Sequence, residues 1–405
     1  MTDMDIFPDS LFDFISRHAG EDAASLRLRF GHGEKDGFSI DFAIDQIEAR
    51  RKASGRLSSL LSHGRFLFPA LICAEQASSS AVAAFHATLV GKVDSVLDLT
   101  CGLGSDAMAI AANASELLAI ERDEWYCRVL GHNLKECGFD NVTVCNDDCN
   151  SWLAANDRHF DIIFADPHRR DAANGRTYSF SDCTPDIAAM APSLTSRCGR
   201  LIIKASPMLD ISLAASEVAG CEEVYAVAER GECKELLIVA REGGEFRKVA
   251  SVNITRDGVH EYSISADKLG RNETIAIASV EDMNAGFLYE PNAAAMKLQC
   301  GDAFSKDFPG IRRVGSNTSL YAAVEEYPSF PGRILRIEGI ADRKELKKMK
   351  GKRFNVVSRN HPLKARELAA NLKVRPSEND FIYATSVGPG KGKPVIVRAT
   401  LLKSN

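Results

Sequence analysis

Between residues 91 and 205 the chain repeats one pattern: a short apolar run, then a polar residue where the run stops. Val96-Leu97 ends in Asp98, and Leu117-Leu118-Ala119-Ile120 ends in Glu121. Val142-Thr143-Val144-Cys145 ends in Asn146-Asp147-Asp148, and Phe160-Asp161-Ile162-Ile163-Phe164-Ala165 ends in Asp166-Pro167. Short apolar runs alternating with helical stretches, such as residues 106–114, predict parallel strands of an α/β fold. Open parallel sheets bind their ligands beyond the C-terminal ends of the strands, where these polar residues fall. Arg200-Leu201-Ile202-Ile203-Lys204 predicts a fifth strand. Residues 223–227 and 235–240, joined through Glu229-Arg230-Gly231-Glu232, predict a reversed pair that closes the sheet.

Outside this stretch the pattern changes. Residues 1–90 read as a helical region, with Phe12, Ile15, Leu26 and Leu28 supplying apolar faces and residues 41–50 an amphipathic helix. Arg65-Phe66-Leu67-Phe68-Pro69 reads as an extended connector. Glu75-Gln76-Ala77-Ser78-Ser79-Ser80 then precedes a helix over residues 81–90, which a serine can cap. Residues 245–285 alternate with the two-residue period of antiparallel strands, at 248–255, 262–266 and 274–279. Arg241-Glu242-Gly243-Gly244 marks a boundary. The expected division is a helical region at 1–90, a catalytic sheet at 91–243, a small strand-rich, ferredoxin-like domain at 244–285 and a final α+β domain at 286–405.

Composition narrows the class. Of 405 residues, 45% are hydrophobic and 26% charged, as in ordinary soluble domains. No apolar run approaches a membrane span. Met1-Thr2-Asp3-Met4-Asp5 is acidic where a secretory signal would be basic, so a cytoplasmic protein is expected. The eleven cysteines include no C-x-x-C pair, so no zinc site is expected. Net charge is −5, yet residues 333–375 carry fourteen Lys or Arg against four Asp or Glu. Such an asymmetry suits either a nucleic-acid face or a solvated helix surface.

The chemistry concentrates at the first strand. Thr100-Cys101-Gly102-Leu103-Gly104 is a tight turn whose glycines let backbone approach a ligand closely. Glu121 follows by about 20 residues, the distance at which a second-strand acid reaches a ribose hydroxyl pair. At Ala107 a dehydrogenase fingerprint has only its permitted variant in place of glycine, and no dehydrogenase pattern accounts for Asp166-Pro167. Arg169 and Arg170 can grip phosphate bidentately or pair with Asp171 or Asp182 as scaffold.

Asp98 to Gly104 resembles motif I of the class I S-adenosylmethionine-dependent methyltransferases, with Thr100 in place of the usual first glycine. Asp166-Pro167 resembles the acid-proline motif of the amino-group enzymes in that class, with His168 in place of a second proline. Residues 286–405 resemble the THUMP-like domain of bacterial members. The resemblance implies a Rossmann-like seven-stranded sheet flanked by an N-terminal helical region and C-terminal ferredoxin-like and THUMP-like domains. It implies S-adenosylmethionine as cofactor, held by Asp98, Thr100, Cys101, Gly102 and Gly104, with Glu121 on the ribose and Asp148 on the adenine. Gln76 and Ser78 occupy the place of a segment that covers the cofactor in related enzymes. Asp166, Pro167, His168 and Arg169 are the implied catalytic group, and RNA, with tRNA as one candidate, the implied substrate. A protein or small-molecule acceptor, and a non-catalytic RNA-binding role, are the alternatives.

Overall fold

The computed structural model describes residues 7–169 and 180–405, the side chain of Arg169 excepted. The chain forms two compact units. The first is built on residues up to Ala205, with two short later segments, and the second holds most of the remainder.

Five strands carry the first unit: β1 (Val93–Asp98), β2 (Ala114–Glu121), β3 (Val142–Asn146), β4 (Phe160–Ala165) and β5 (Cys198–Ala205). Their order is β5-β4-β1-β2-β3, and every neighbouring pair is parallel. The chain moves outward from β1 to β3, then crosses to the other side of β1 for β4 and β5. The order therefore reverses between β1 and β4, which opens a crevice beyond their C-terminal ends. Leu97 pairs with Leu118 on one side and Ile163 on the other, and Leu97 and Ile163 are fully buried. Burial on both faces explains the continuous apolar run of the central strand β4, whereas the edge strand β3 has no buried residue.

Helices precede and punctuate the sheet: α1 (Asp9–His18), α2 (Ala23–Phe30), α3 (Ile40–Ala53), α4 (Cys73–Gln76), α5 (Ser80–Val90), α6 (Ser105–Ala111), α7 (Glu124–Cys137) and α8 (Cys149–Ala155). Ser79 caps α5 by accepting from Val82 N–H, as the serine run predicts. Helices α1 to α3 bury Leu11, Phe14, Leu26 and Ile44 in one cluster that also takes Val129 of α7. The N-terminal helices thus brace α7. The 65–69 connector is held by two amide side chains that act as surrogate strand neighbours. Asn133 bonds Leu67 N and O at 2.8 Å each, and Gln46 bonds Phe68 N and O at 2.8 and 2.9 Å.

In the second unit β6 (Cys221–Glu229) is followed by β7 (Glu232–Ala240) through Arg230 and Gly231, both at positive φ. That geometry suits a tight hairpin. Strand β8 (Lys248–Thr255) pairs in parallel with β6, and β9 (Gly258–Ser265) runs antiparallel to β8. The expected strand at 274–279 does not form; only a bridge between Ile277 and Arg313 is present. The Asp302 carboxylate accepts from the N–H groups of Glu273, Thr274 and Ile275 at 2.8 to 3.1 Å, so these donors have no use for a strand partner.

A seven-stranded sheet completes this unit. Its strands are β10 (Phe287–Pro291), β11 (Arg312–Arg313), β12 (Tyr321–Ala323), β13 (Gly332–Ile340), β14 (Asn355–Arg359), β15 (Asp380–Val387) and β16 (Lys393–Ser404), in the order β11-β12-β10-β13-β16-β15-β14. A buried carboxylate, Glu290, ties four of its strands. It accepts from Arg333 at 2.9 Å, Arg359 at 2.8 Å and Tyr383 Oη at 2.7 Å. The basic stretch includes the helix α9 (Arg343–Met349), which Asp342 and Glu345 start with a capping box.

Candidate functional site

The crevice between β1 and β4 opens into a cavity of about 530 Å³ that lies within the first unit. This falls in the roughly 300–1,000 Å³ range of small-molecule sites. Strand ends supply its polar wall: Asp98 from β1, Glu121 from β2, Asp147 and Asp148 beyond β3, Asp166 beyond β4.

Motif I forms a turn with a fixed backbone. Asp98 is buried and accepts from Thr100 N–H at 3.0 Å. Burial pushes its carboxyl up to about 8, with Asp106 and Asp166 adding to the rise and Thr100 N–H and Lys204 opposing it. Gly102 and Gly104 have positive φ, 51° and 83°. A Cβ on Gly102 would meet no protein atom within 4 Å, so its bare backbone faces the cavity. A Cβ on Gly104 would stand 2.3 Å from Leu130 Cδ1, so that glycine serves the packing of the turn against α7. Cys101 lines the cavity, and its thiol is pushed well up by burial, with Asp98 and Glu121 adding. It stays neutral and serves as wall, since the nucleophilic form of cysteine is the thiolate.

Glu121 closes over the turn. One carboxylate oxygen accepts from Gly102 N–H at 3.1 Å and the other from Asp123 N–H at 2.9 Å. Each oxygen keeps lone-pair capacity for a further donor. Asp148 caps α8, accepting from Asn150 and Ser151 N–H groups at 3.0 and 3.3 Å, while lining the cavity. Gln76 ends α4 at the cavity wall, and Ser78 lines it two residues on.

Thr100 has a purpose that the sequence does not show. Its Oγ1 accepts from Asp166 N–H at 2.7 Å, which joins the motif I turn to the acid-proline segment. A glycine there could not do this. Pro167 is buried behind Asp166 and is not among the cavity-lining residues. His168 is exposed and lines the cavity, its backbone pairing with Thr184. Arg169 pairs through its backbone with Cys183; its side chain, Arg170 and Asp171 lie outside the described residues.

Three residues of the site escaped the sequence reading: Lys204, Asp106 and His86. Lys204, at the end of β5, is 8% exposed. Its Nζ donates to Asp166 Oδ2 at 2.5 Å, Ser78 Oγ at 2.9 Å and Asp106 Oδ2 at 3.1 Å. Ser78 Oγ also donates to Asp106 Oδ2 at 2.9 Å, and His86 Nδ1 donates to Asp106 Oδ1 at 2.9 Å. Burial raises the Asp106 carboxyl, but Lys204 and His86 outweigh it and hold Asp106 well below the usual carboxylate range. A buried ammonium is tolerated only with such partners. The available signal was a lone lysine closing an apolar strand, in the same position as the acids that close β1, β2 and β4.

No group of His, Cys, Asp and Glu side chains among the described residues could hold a metal ion. No helix among them is long and apolar enough to cross a membrane.

A solved structure of a candidate methyltransferase from Porphyromonas gingivalis superposes over the whole of both chains, with a TM-score of 0.85 at 23% identity. The two chains share one fold. Family models place a segment described as conserved hypothetical protein 95 at residues 81–174, a ferredoxin-like domain at 287–331 and a THUMP domain-like segment at 332–400. The ferredoxin-like match thus falls after the 244–285 stretch, whose β8 and β9 extend from β6. Ribosomal RNA small subunit methyltransferase J of Francisella tularensis subsp. novicida is 31% identical over 80 residues, 18% of this chain and 33% of that protein. The same protein from subsp. holarctica matches with the same figures. The chain therefore spans about a third of the length of the curated relatives it matches.

Proposed function

We propose that this chain is an S-adenosylmethionine-dependent methyltransferase that modifies RNA, at a nucleobase amine. One observation carries the reading: Asp98 and Asp166 stand at the ends of β1 and β4, on either side of the strand-order reversal, in one cavity with Glu121. The fit to the cofactor rests on the same wall. Gly102 presents bare backbone to the cavity, and Glu121 offers acceptors for a ribose hydroxyl pair. Asp98 would hold the cationic amino end, and Asp148 the adenine amino group. Thr100, Cys101 and Gly104 shape the turn between them, and Gln76 and Ser78 cover it.

Bound S-adenosylmethionine supplies a methyl group that is already activated. The protein's work is to hold the acceptor in line and keep water out, and orientation of this kind supplies much of the acceleration. Asp166 accepts a hydrogen bond from the acceptor amine and so aims its lone pair. Pro167, with φ fixed by its ring, shapes the segment behind it. His168 lines the cavity on the acceptor side, and Arg169 follows it in the chain.

The substrate half rests on the THUMP domain-like segment, on the basic helix α9, and on the name of the Francisella relative, which is a ribosomal RNA enzyme. We take structured RNA, tRNA among its forms, as the acceptor and the cytoplasm as the place of action. We also carry the division at 1–90, 91–243, 244–285 and 286–405 as a working map, with chemistry in the second segment and RNA contact in the last.

The test is methyl transfer from labelled S-adenosylmethionine into ribosomal and small RNA from a strain lacking this protein, wild type beside Asp166→Ala. Label in RNA with wild type alone supports the reading, and mass analysis of nucleosides then names the base. Cofactor binding without label in any RNA would overturn the substrate half.

A further inference from the structure

Lys204 is the one described lysine whose Nζ reaches both the acceptor-side acid and the buried interior of the site. We propose that Lys204 is a positioning residue: it fixes the Asp166 carboxylate by one oxygen so that the other alone meets the acceptor amine. This rests on the methyltransferase reading above.

The geometry argues for it. Asp166 is 42% exposed on its side chain, so without a partner it would rotate among solvated rotamers. Two contacts remove that freedom. Thr100 Oγ1 holds the backbone N–H at 2.7 Å, and Lys204 Nζ holds Oδ2 at 2.5 Å. Lys204 is itself held from behind by Asp106 Oδ2 and Ser78 Oγ. Asp106 is anchored in turn by the buried imidazole of His86. The chain of contacts runs from α5 and α6 through β5 to the strand end where transfer takes place. Every link is polar, and Lys204, Asp106, Ser78 and His86 are buried.

The arrangement assigns charge as well as place. Lys204 faces Asp106 and Asp166, with Asp98 close enough to act on both acids. One ammonium therefore shares its charge with the acid that anchors it and the acid it presents. A carboxylate with one oxygen already committed to an ammonium favours an acceptor that offers a single N–H along one direction. It is a poor general base, because its electron density is drawn toward Lys204. Its proposed contribution is orientation rather than proton abstraction.

The experiment is a double-mutant cycle on the rate of methyl transfer into the RNA that wild type labels, with cofactor affinity measured by calorimetry on the same proteins. Lys204→Met keeps an unbranched stem and removes the charge. It is expected to lower kcat by about 100-fold, the scale of a misplaced reacting group. S-adenosylmethionine affinity should stay within a factor of about 3, since the coupling to the cofactor side is indirect. Asp166→Asn should lower kcat similarly, and the double variant should be no slower than the slower single one, because residues acting as a unit are not additive. Lys204→Met/Asp106→Asn removes both buried charges and guards against simple misfolding; it should bind cofactor and remain slow. Wild-type kcat in either Lys204 variant, or additive losses in the double with Asp166→Asn, would overturn the proposal. An Asp166→Ala protein as fast as wild type would instead overturn the methyltransferase reading of Asp166 itself.

Discussion

Thr100 Oγ1 accepts the backbone N–H of Asp166 at 2.7 Å, across 66 residues of sequence. One hydroxyl thereby joins the Thr100–Gly104 turn to the Asp166-Pro167 segment. Thr100→Val keeps the shape and removes the acceptor. The Asp166 N–H then depends on water, and the loss should be about 1 kcal/mol of stability, the low end for an unmade bond that solvent can reach. Transfer rate should fall by more than stability does, with cofactor affinity little changed. A Thr100→Val enzyme with unaltered kcat would show that the link is structural only.

The Asp98 carboxyl gives a pH dependence with a definite sign. Its value rises from 3.8 to about 8, chiefly through burial. In that interval the folded chain keeps a proton that the unfolded chain releases, so stability falls as pH rises. Asp98→Asn removes the penalty. Without cofactor, its melting temperature should exceed that of wild type by more at pH 8 than at pH 4. Equal gains at both ends of that interval would contradict a raised Asp98. The same proton should leave when a cationic amino group binds beside it. Calorimetry in buffers of different ionisation heat should therefore register proton release with S-adenosylmethionine near neutral pH.

The two turn glycines should fail in different assays. Gly104→Ala places Cβ against Leu130 at φ 83°, and the left-handed backbone alone costs about 1–2 kcal/mol. Its effect belongs in the melting temperature. Gly102→Ala meets no protein atom, but its methyl projects where a ligand would lie. Its larger effect should be on cofactor affinity, read by calorimetry. If both variants lose stability and neither loses affinity, the cavity is not the cofactor site.

Helix α9 offers a test of the RNA contact that leaves the cavity untouched. Changing Lys344, Lys347 and Lys348 together to alanine removes three cations from the basic stretch. If they meet phosphates, the slope of log affinity against log salt should flatten by about 2–3. An unchanged slope would assign the stretch to solubility.

Much of the site was written in local pattern. Apolar runs that end in Asp98, Glu121, Asp148 and Asp166 fixed which residues could meet, because a parallel sheet gathers strand ends on one side. The positive φ of Gly102 and Gly104 was legible as a glycine turn, whereas the packing of Gly104 against Leu130 was not. The N-terminal helices and the serine cap of α5 followed from period and composition in the same way, except that Leu28, read as part of an apolar face, is 89% exposed while Leu26 is buried.

Contacts between distant segments were not legible. Asp106 looks like a first-turn acid, His86 like a residue on an alanine-rich helix, and Lys204 like the polar end of one more strand. Only folding brings them within hydrogen-bond reach of one another and of Ser78 and Asp166. The strand expected at 274–279 failed for the same reason, since the acceptor for its first N–H groups, those of Thr274 and Ile275, is a side chain about thirty residues away, Asp302. Periodicity reports which face of an element is buried, and so it determined the sheet, its ends and the turn. Which polar groups satisfy one another inside depends on strand order and helix placement, and the tertiary structure alone decided that Lys204 stands behind Asp166.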